Sequence, residues 1–384
     1  VSGTFVLGLY LHIPFCAAIC NYCNFNRGLL DEPLKQRYVA AVEAEIRRAA
    51  EPQTPADSIY FGGGTPSLLA TADVARLVTA CRDSFALAPH TEVTLEANPE
   101  SVTLDTLTAY RDAGVNRLSV GVQSFCDEEL RRLGRLHTAD GARRAFETAR
   151  AAGFHNISLD LMMWLPQQRV DQWLSSVDAL IALGPDHASL YLLELYPNAP
   201  LGEDMARGGW SQAPDEDAAL MYEGALDRLD AAGYQHYEIS NVAKPGFHAV
   251  HNVKYWQDGA WLGFGCAAHA TRAGERWRNV PVTMDYVGRI ERGESPVAAR
   301  HVLSQEERLE DALFTGLRLA EGLDLAAIRT RYGVDVWERY GPELSRCADA
   351  GLLVHEPDRW LRLTRSGMLL ANEVMAVFIR PTVR

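Results

Sequence analysis

The sequence predicts an α/β fold organised on a parallel sheet, followed by a small, mainly helical module. Three observations carry that prediction. Short apolar runs with strand character alternate six times with longer helical patterns through the first half of the chain. The residues with chemical potential fall at or just after the carboxyl ends of those runs, where parallel α/β architectures place their active sites. From about Ser304 the alternation stops, and helical segments precede two short strands around a turn.

The elements follow in order. Val6 to His12 reads as a strand and Pro33 to Ala50 as a helix. Ser58 to Phe61 is a short buried strand that ends at Gly62-Gly63-Gly64-Thr65. Next come a helix over Ala72 to Phe85, a strand over Glu92 to Glu96 and a helix opening at Thr103. Asn116 to Val120 and Ile157 to Met162 are strands that flank a helix over Ala139 to Ala152. A helix over Gln172 to Leu183 leads to the strand Ala188 to Leu193. Right-handed crossovers curl such a sheet into a barrel or part of one, although the pattern fits an open doubly wound sheet equally well. A helix over Asp217 to Ala232 completes a core domain of residues 1–235. Residues 236–303 read as a less regular connecting region rich in aromatic side chains, glycine and histidine. Residues 304–384 form the last domain: helices over Glu306 to Glu321, Leu325 to Tyr332 and Pro342 to Ala350, then strands Leu352 to His355 and Trp360 to Leu363. That order is winged-helix-like.

Composition narrows the function. The 384 residues suffice for one large and one smaller domain, and 47% hydrophobic content is ordinary for a globular protein. No stretch approaches the length of a membrane span and no signal peptide precedes the cysteines, so a cytoplasmic location is expected. A net charge of -13 argues against nucleic acid as a partner and turns the winged module toward a substrate or protein-facing lid. Seven cysteines is an odd number, and Cys81, Cys126, Cys266 and Cys347 are scattered. They are expected to be small buried hydrophobes in a reduced compartment.

The other three cysteines form Cys16-x3-Cys20-x2-Cys23. A closed zinc site wants four protein ligands, and an ordinary cubane cluster takes four cysteines. Three clustered thiolates can hold a [4Fe-4S] cube by three corners and leave one iron open. Downstream, Gly62-Gly63-Gly64-Thr65-Pro66 lets backbone approach a ligand closely or simply makes a tight βα turn. Glu96 ends a strand in Glu96-Ala-Asn98-Pro99, where it faces a ligand or caps the next helix. Gln123 closes Ser119-Val-Gly121-Val-Gln123-Ser-Phe, with Arg135 following. Asp160 puts an acid at the end of an otherwise apolar strand, which is costly unless it is paired.

The three-cysteine spacing resembles the signature of the radical SAM superfamily, in which the open iron binds the amino and carboxylate groups of S-adenosylmethionine (SAM). The order of Tyr10-Leu-His12-Ile-Pro14, the cysteines, GGGTP, E-x-N-P, SVGVQSF, R-x-H-T and S-x-D-L is similar to one subgroup. That subgroup is the oxygen-independent coproporphyrinogen oxidase (HemN) family with its HemW heme-chaperone branch. The resemblance covers almost the whole chain. It implies a partial (β/α)6 TIM-like barrel and a HemN C-terminal domain. It also implies that Tyr10, Tyr22, Gly63, Gly64, Thr65 and Glu96 contact SAM, and that Gln123, Arg135 and Asp160 contact SAM or a second SAM molecule. Two features point to the HemW branch. The oxidases carry a further cysteine two residues after the third, where this chain has Phe25. His251-Asn252-Val-Lys-Tyr255-Trp256 matches the H-N-x-x-Y-W element linked to heme handling. Its imidazole and aromatics suit a macrocycle, or they pack a joint between domains.

Two departures stand out. Asp160-Leu-Met-Met-Trp164-Leu-Pro166 has Trp164 where the family pattern D-L-I-x-G-L-P has glycine, so the site wall is expected to change at the second SAM position. Gly265-Cys266-Ala-Ala268-His269 carries an unusual Cys266, with His269 a cofactor candidate. The implied function is a heme chaperone that binds the [4Fe-4S] cluster, SAM and heme. It would serve acceptors such as membrane respiratory enzymes and draw electrons from a flavodoxin or ferredoxin. Alternatives are coproporphyrinogen III oxidation, HemN-like radical SAM methyl transfer and, remotely, a nucleic-acid-binding protein with a structural metal. Binding and cleavage of SAM use the same ligands, so the motifs fit a carrier and an enzyme alike.

Overall fold

Alternation along the first strand decides how the sheet faces its surroundings. In β1 (Leu7–Ile13), Leu7, Leu9, Leu11 and Ile13 are almost fully buried in the main hydrophobic core, while Gly8, Tyr10 and His12 point to the other face. The same alternation repeats along β2 (Glu51–Gly63), β3 (Phe85–Ala97), β4 (Arg117–Gln123), β5 (Ile157–Met163) and β6 (His187–Leu192). Parallel register aligns Tyr10 with Tyr60, Tyr60 with Thr94, and Ser119 with Ser158. One face is therefore aliphatic and packs on helices, and the other is polar. The computed structural model describes residues 6–197 and 199–379; the ends of the expected domains, 1–5 and 380–384, lie outside the described residues.

Six further strands extend this sheet: β7 (Gln235–Glu238), β8 (Asn241–Ala243), β9 (Trp261–Phe264), β10 (His269–Arg272), β11 (Glu275–Asn279) and β12 (Val297–Val302). The order across twelve strands is β12-β11-β10-β9-β1-β2-β3-β4-β5-β6-β8-β7. The run from β9 to β6 is parallel and both flanks are antiparallel. The two ends do not pair, so the six βα units make part of a barrel. The stretch 236–303, irregular by pattern, thus supplies one strand directly beside β1 and three beyond it. Two of the helices begin where the sequence provides side-chain caps. Asp31 accepts from the Leu34 amide at the start of Glu32–Arg48, and Ser304 with Glu307 forms a capping box at Gln305–Gly316.

The C-terminal module contains the helices Gln305–Gly316, Leu325–Tyr332 and Val336–Asp349. A three-stranded sheet of β13 (Leu323–Asp324), β14 (Leu353–Glu356) and β15 (Trp360–Leu363) gives the winged-helix-like order β13-β15-β14. The third helix starts six residues before the expected Pro342, because Asp335 caps it and Pro342 is carried inside. The module docks through Arg318, whose guanidinium lies 4.3 Å from the Trp256 ring centroid and 3.3 Å from the buried Glu238 carboxylate. No helix among the described residues is long and apolar enough to cross a membrane.

Candidate metal centre and cofactor site

The loop after β1 carries Cys16, Cys20 and Cys23, all half-buried, onto the wall of a cavity of about 380 Å³ at the carboxyl end of the parallel strands. The loop after β2 packs beneath them. Gly63 has φ +117°, and a Cβ there would lie 2.7 Å from the His12 ring. A Cβ on Gly64 would fall 2.7 Å from the Phe15 carbonyl oxygen and 3.0 Å from Cys16 Sγ. Glycine is therefore required for this backbone to reach the first cysteine.

Hydrogen bonds tie these loops to the barrel. Thr65 Oγ1 donates to Cys16 Sγ at 3.6 Å, and Asn98 Nδ2 donates to Thr65 Oγ1 at 3.1 Å. Arg135 donates to Asn98 Oδ1 at 2.7 Å, to the Gly121 carbonyl at 2.8 Å and to Cys20 Sγ at 3.5 Å. Arg27 donates to the Phe25 carbonyl at 3.1 Å and also to the Cys23 carbonyl. Tyr22 lines the same wall, and burial raises its hydroxyl pKa.

The cavity floor is acidic. Asp160 accepts from Ser119 at 3.2 Å and from Ser158 at 3.3 Å, and burial raises its pKa. Glu96 accepts from Tyr60 at 2.8 Å and from the Gly63 amide at 3.1 Å. Burial nevertheless pushes the Glu96 carboxyl up to about 7. A native carboxyl with a raised pKa holds a proton that the unfolded chain loses near about pH 4.3. Its stabilising contribution is complete below that pH and disappears as pH rises through about 7. Glu45, buried under the Gly265 amide, Asn279 and Tyr286, is also raised to about 7. Glu96→Gln is accordingly expected to reduce, without abolishing, the fall in Tm between about pH 4 and about pH 8. A mutant profile parallel to wild type would exclude Glu96 as a source of that slope.

Most of the residues singled out from sequence meet here: the three cysteines, Tyr22, Gly63, Gly64, Thr65, Glu96, Gln123, Arg135 and Asp160 all line the cavity. Gln123 sits at φ +66° with its Oε1 buried and unpartnered. Tyr10 does not line the cavity. It lies one layer lower, its hydroxyl 3.1 Å from His12 Nδ1, under Gly62 and Glu96. His269, expected as a cofactor contact, is exposed on β10 and does not line this cavity. Trp164 keeps the left-handed backbone (φ +62°) that suits the family's glycine. Its indole donates to the Ala213 carbonyl at 2.8 Å, and Trp164 is not among the residues that line the cavity. Cys266 is also remote, buried beside Tyr38 and Thr283. Pattern reading gave no role to Asn98 or Ser119, though both lie within its motifs; Arg27 and Tyr60 carried no local signal.

The H-N-x-x-Y-W element sits at the opposite, amino-terminal end of the barrel, on helix Val250–Trp256. His251 is 0% exposed. Its Nδ1 lies 2.9 Å from Ser58 Oγ and its Nε2 2.9 Å from the Tyr255 hydroxyl, and burial pushes its pKa down to about 3. Glu92 accepts from the Val250 and His251 amides, both at 3.1 Å. Asn252 shares the helix, Tyr255 packs edge-on against Trp261, and Trp256 stacks on Arg318. In this arrangement neither nitrogen of His251 is open to an iron. The element closes the base of the barrel and joins it to the C-terminal module.

Residues 10–180 match the radical SAM superfamily and residues 303–370 the HemN C-terminal domain. The heme chaperone HemW of Bacillus subtilis (strain 168) is 35% identical over 375 residues, covering 96% of this chain and 98% of that protein. HemW of Mycobacterium tuberculosis (strain H37Rv) is 38% identical over 378 residues, covering 97% and 94%. The structure of coproporphyrinogen III oxidase (HemN) from Escherichia coli superposes with a TM-score of 0.85 at 23% identity, covering 97% of this chain and 90% of that one, and shares the fold. The chain therefore belongs to the HemW family, within the HemN-like branch of the radical SAM superfamily.

Proposed function

We propose that this protein is a heme chaperone that carries a [4Fe-4S] cluster and SAM at the mouth of its barrel, binds heme there and delivers it to acceptor proteins. The observation that carries this reading is Phe25. Where the oxidases have a further cysteine, its ring is 65% exposed at the cavity mouth. Ile19, Leu192 and Tyr196 line the same mouth and are also more than a third exposed, which gives a flat macrocycle an apolar wall beside Arg27.

The residues present fit the two cofactors. Cys16, Cys20 and Cys23 would hold three irons of the cluster, and the Gly64 cradle admits nothing larger than hydrogen beside Cys16. Glu96, Asp160 and the unpartnered Gln123 Oε1 offer acceptors to the ammonium and hydroxyl groups of SAM. When bound, the cluster supplies an electron that a flavodoxin or ferredoxin replenishes. The protein's own contribution is to orient these groups and to leave an apolar rim for cargo. Acceptors of the kind expected from sequence, membrane respiratory enzymes among them, would take heme from that rim.

Titration of anaerobically reconstituted protein with heme is expected to give saturable binding. Phe25→Asp should weaken it at least about tenfold, a loss on the scale of one buried aromatic contact. Incubation with coproporphyrinogen, SAM and reductant should give no decarboxylation. Turnover to protoporphyrinogen would replace the chaperone reading with the oxidase.

A further inference from the structure

We infer that Arg135, Asn98 and Thr65 form a one-way hydrogen-bond relay that links two of the three cluster cysteines and sets the reduction potential of the cluster. The inference rests on the proposal that Cys16, Cys20 and Cys23 hold that cluster. Every bond in the relay runs in the same direction. Arg135 donates to Asn98 Oδ1 at 2.7 Å, Asn98 Nδ2 donates to Thr65 Oγ1 at 3.1 Å, and Thr65 Oγ1 donates to Cys16 Sγ at 3.6 Å. The second arm of the same guanidinium donates to Cys20 Sγ at 3.5 Å. One cation thus reaches two sulfurs, one directly and one through two neutral groups.

The geometry gives the relay more than a bracing role. A charged donor at the head of a hydrogen-bond chain polarises each following donor, so the Thr65 hydroxyl is a stronger donor than an isolated threonine. Hydrogen bonds to the sulfurs of an iron–sulfur centre favour its more negative, reduced form and raise the potential. The Gly121 carbonyl, 2.8 Å from Arg135, anchors the fork and holds the relay in register with β4. Thr65 is 3% exposed, so water does not readily replace its hydroxyl. Cys23 lies outside the relay and faces Arg27 and the Phe25 amide instead. The three corners therefore differ, and the relay acts on two of them.

The test uses full-length protein with reconstituted cluster and no SAM, titrated by EPR-monitored reduction. Thr65→Val removes one hydroxyl at nearly constant shape, and Arg135→Lys keeps the charge but loses the fork. Each is expected to move the midpoint to a more negative value, and Thr65→Ser to restore the wild-type midpoint. The Thr65→Val/Arg135→Lys double variant should shift by less than the sum of the single shifts, because both act through Cys16. Wild-type midpoints in both single variants, or a strictly additive double variant, would overturn the relay. Should Arg135→Lys fail to fold, the Thr65→Val and Thr65→Ser pair decides alone. A wild-type protein that assembles no cluster would instead remove the iron–sulfur reading beneath it.

Discussion

Cys20→Ser is expected to strip nearly all cluster iron from anaerobically reconstituted protein, whereas Cys266→Ser and Cys81→Ser leave the iron content at the wild-type level. The thiolate is the ligand form, and a serine hydroxyl does not ionise at working pH. The site has no spare donor: Cys16 and Cys23 are the only other cysteines on the cavity wall among the described residues. Serine would also cost Arg135 the sulfur it now approaches at 3.5 Å. The control cysteines are buried for other reasons. Cys81 is 0% exposed on the buried face of helix Thr71–Ser84, and burial pushes its thiol up to about 12, so it is neither a thiolate nor accessible. Cys266 is likewise 0% exposed, and its sulfur already lies 3.6 Å from the hydroxyls of Tyr38 and Thr283. Iron and sulfide content with the EPR signal of the reduced protein reads the outcome. Full iron in Cys20→Ser, or its loss in Cys266→Ser, would reassign the ligands.

How much of this was legible in the sequence follows from the range of each interaction. The six βα units could be read because each strand carries its own alternation of aliphatic and polar residues, and each following helix its own period. The amino-terminal halves of β2 and β3 were missed because Pro52, Pro55 and Pro89 interrupt their pattern. The strand β9 has only four residues, and its partner β1 lies at the other end of the core, so no local signal announced the pairing. At the site, the cysteines, glycines and strand-end acids were legible because loops at the carboxyl edge bring them together in any parallel α/β fold. The surroundings of His251 were not. Ser58 stands 193 residues before it and Glu92 159 residues before it, and those two partners turn a ligand-like histidine into a core residue.

That conversion predicts the second large effect, a loss of about 3 kcal/mol of folding stability in His251→Ala. Two terms add. Removing the ring leaves a cavity against Gly8, where even a glycine Cβ would come within 2.9 Å of His251 Cε1. It also strands the Ser58 and Tyr255 hydroxyls, each now 2.9 Å from a ring nitrogen, inside the barrel. Tyr255→Phe and Ser58→Ala, which each remove a single partner, should cost less, on the order of 1 kcal/mol. Because the ring pKa is depressed to about 3, His251 is neutral in both states above about pH 7, and none of its cost there comes from lost charge. The penalty should therefore be the same at about pH 7 and about pH 8. Chemical denaturation reads the stability, and heme titration of the folded mutant reads the function. Heme affinity should be retained, since the imidazole faces the sealed base of the barrel and the proposed cargo wall lies at the other end. A mutant as stable as wild type that no longer binds heme would reverse this assignment and make His251 a ligand exposed by movement of its helix.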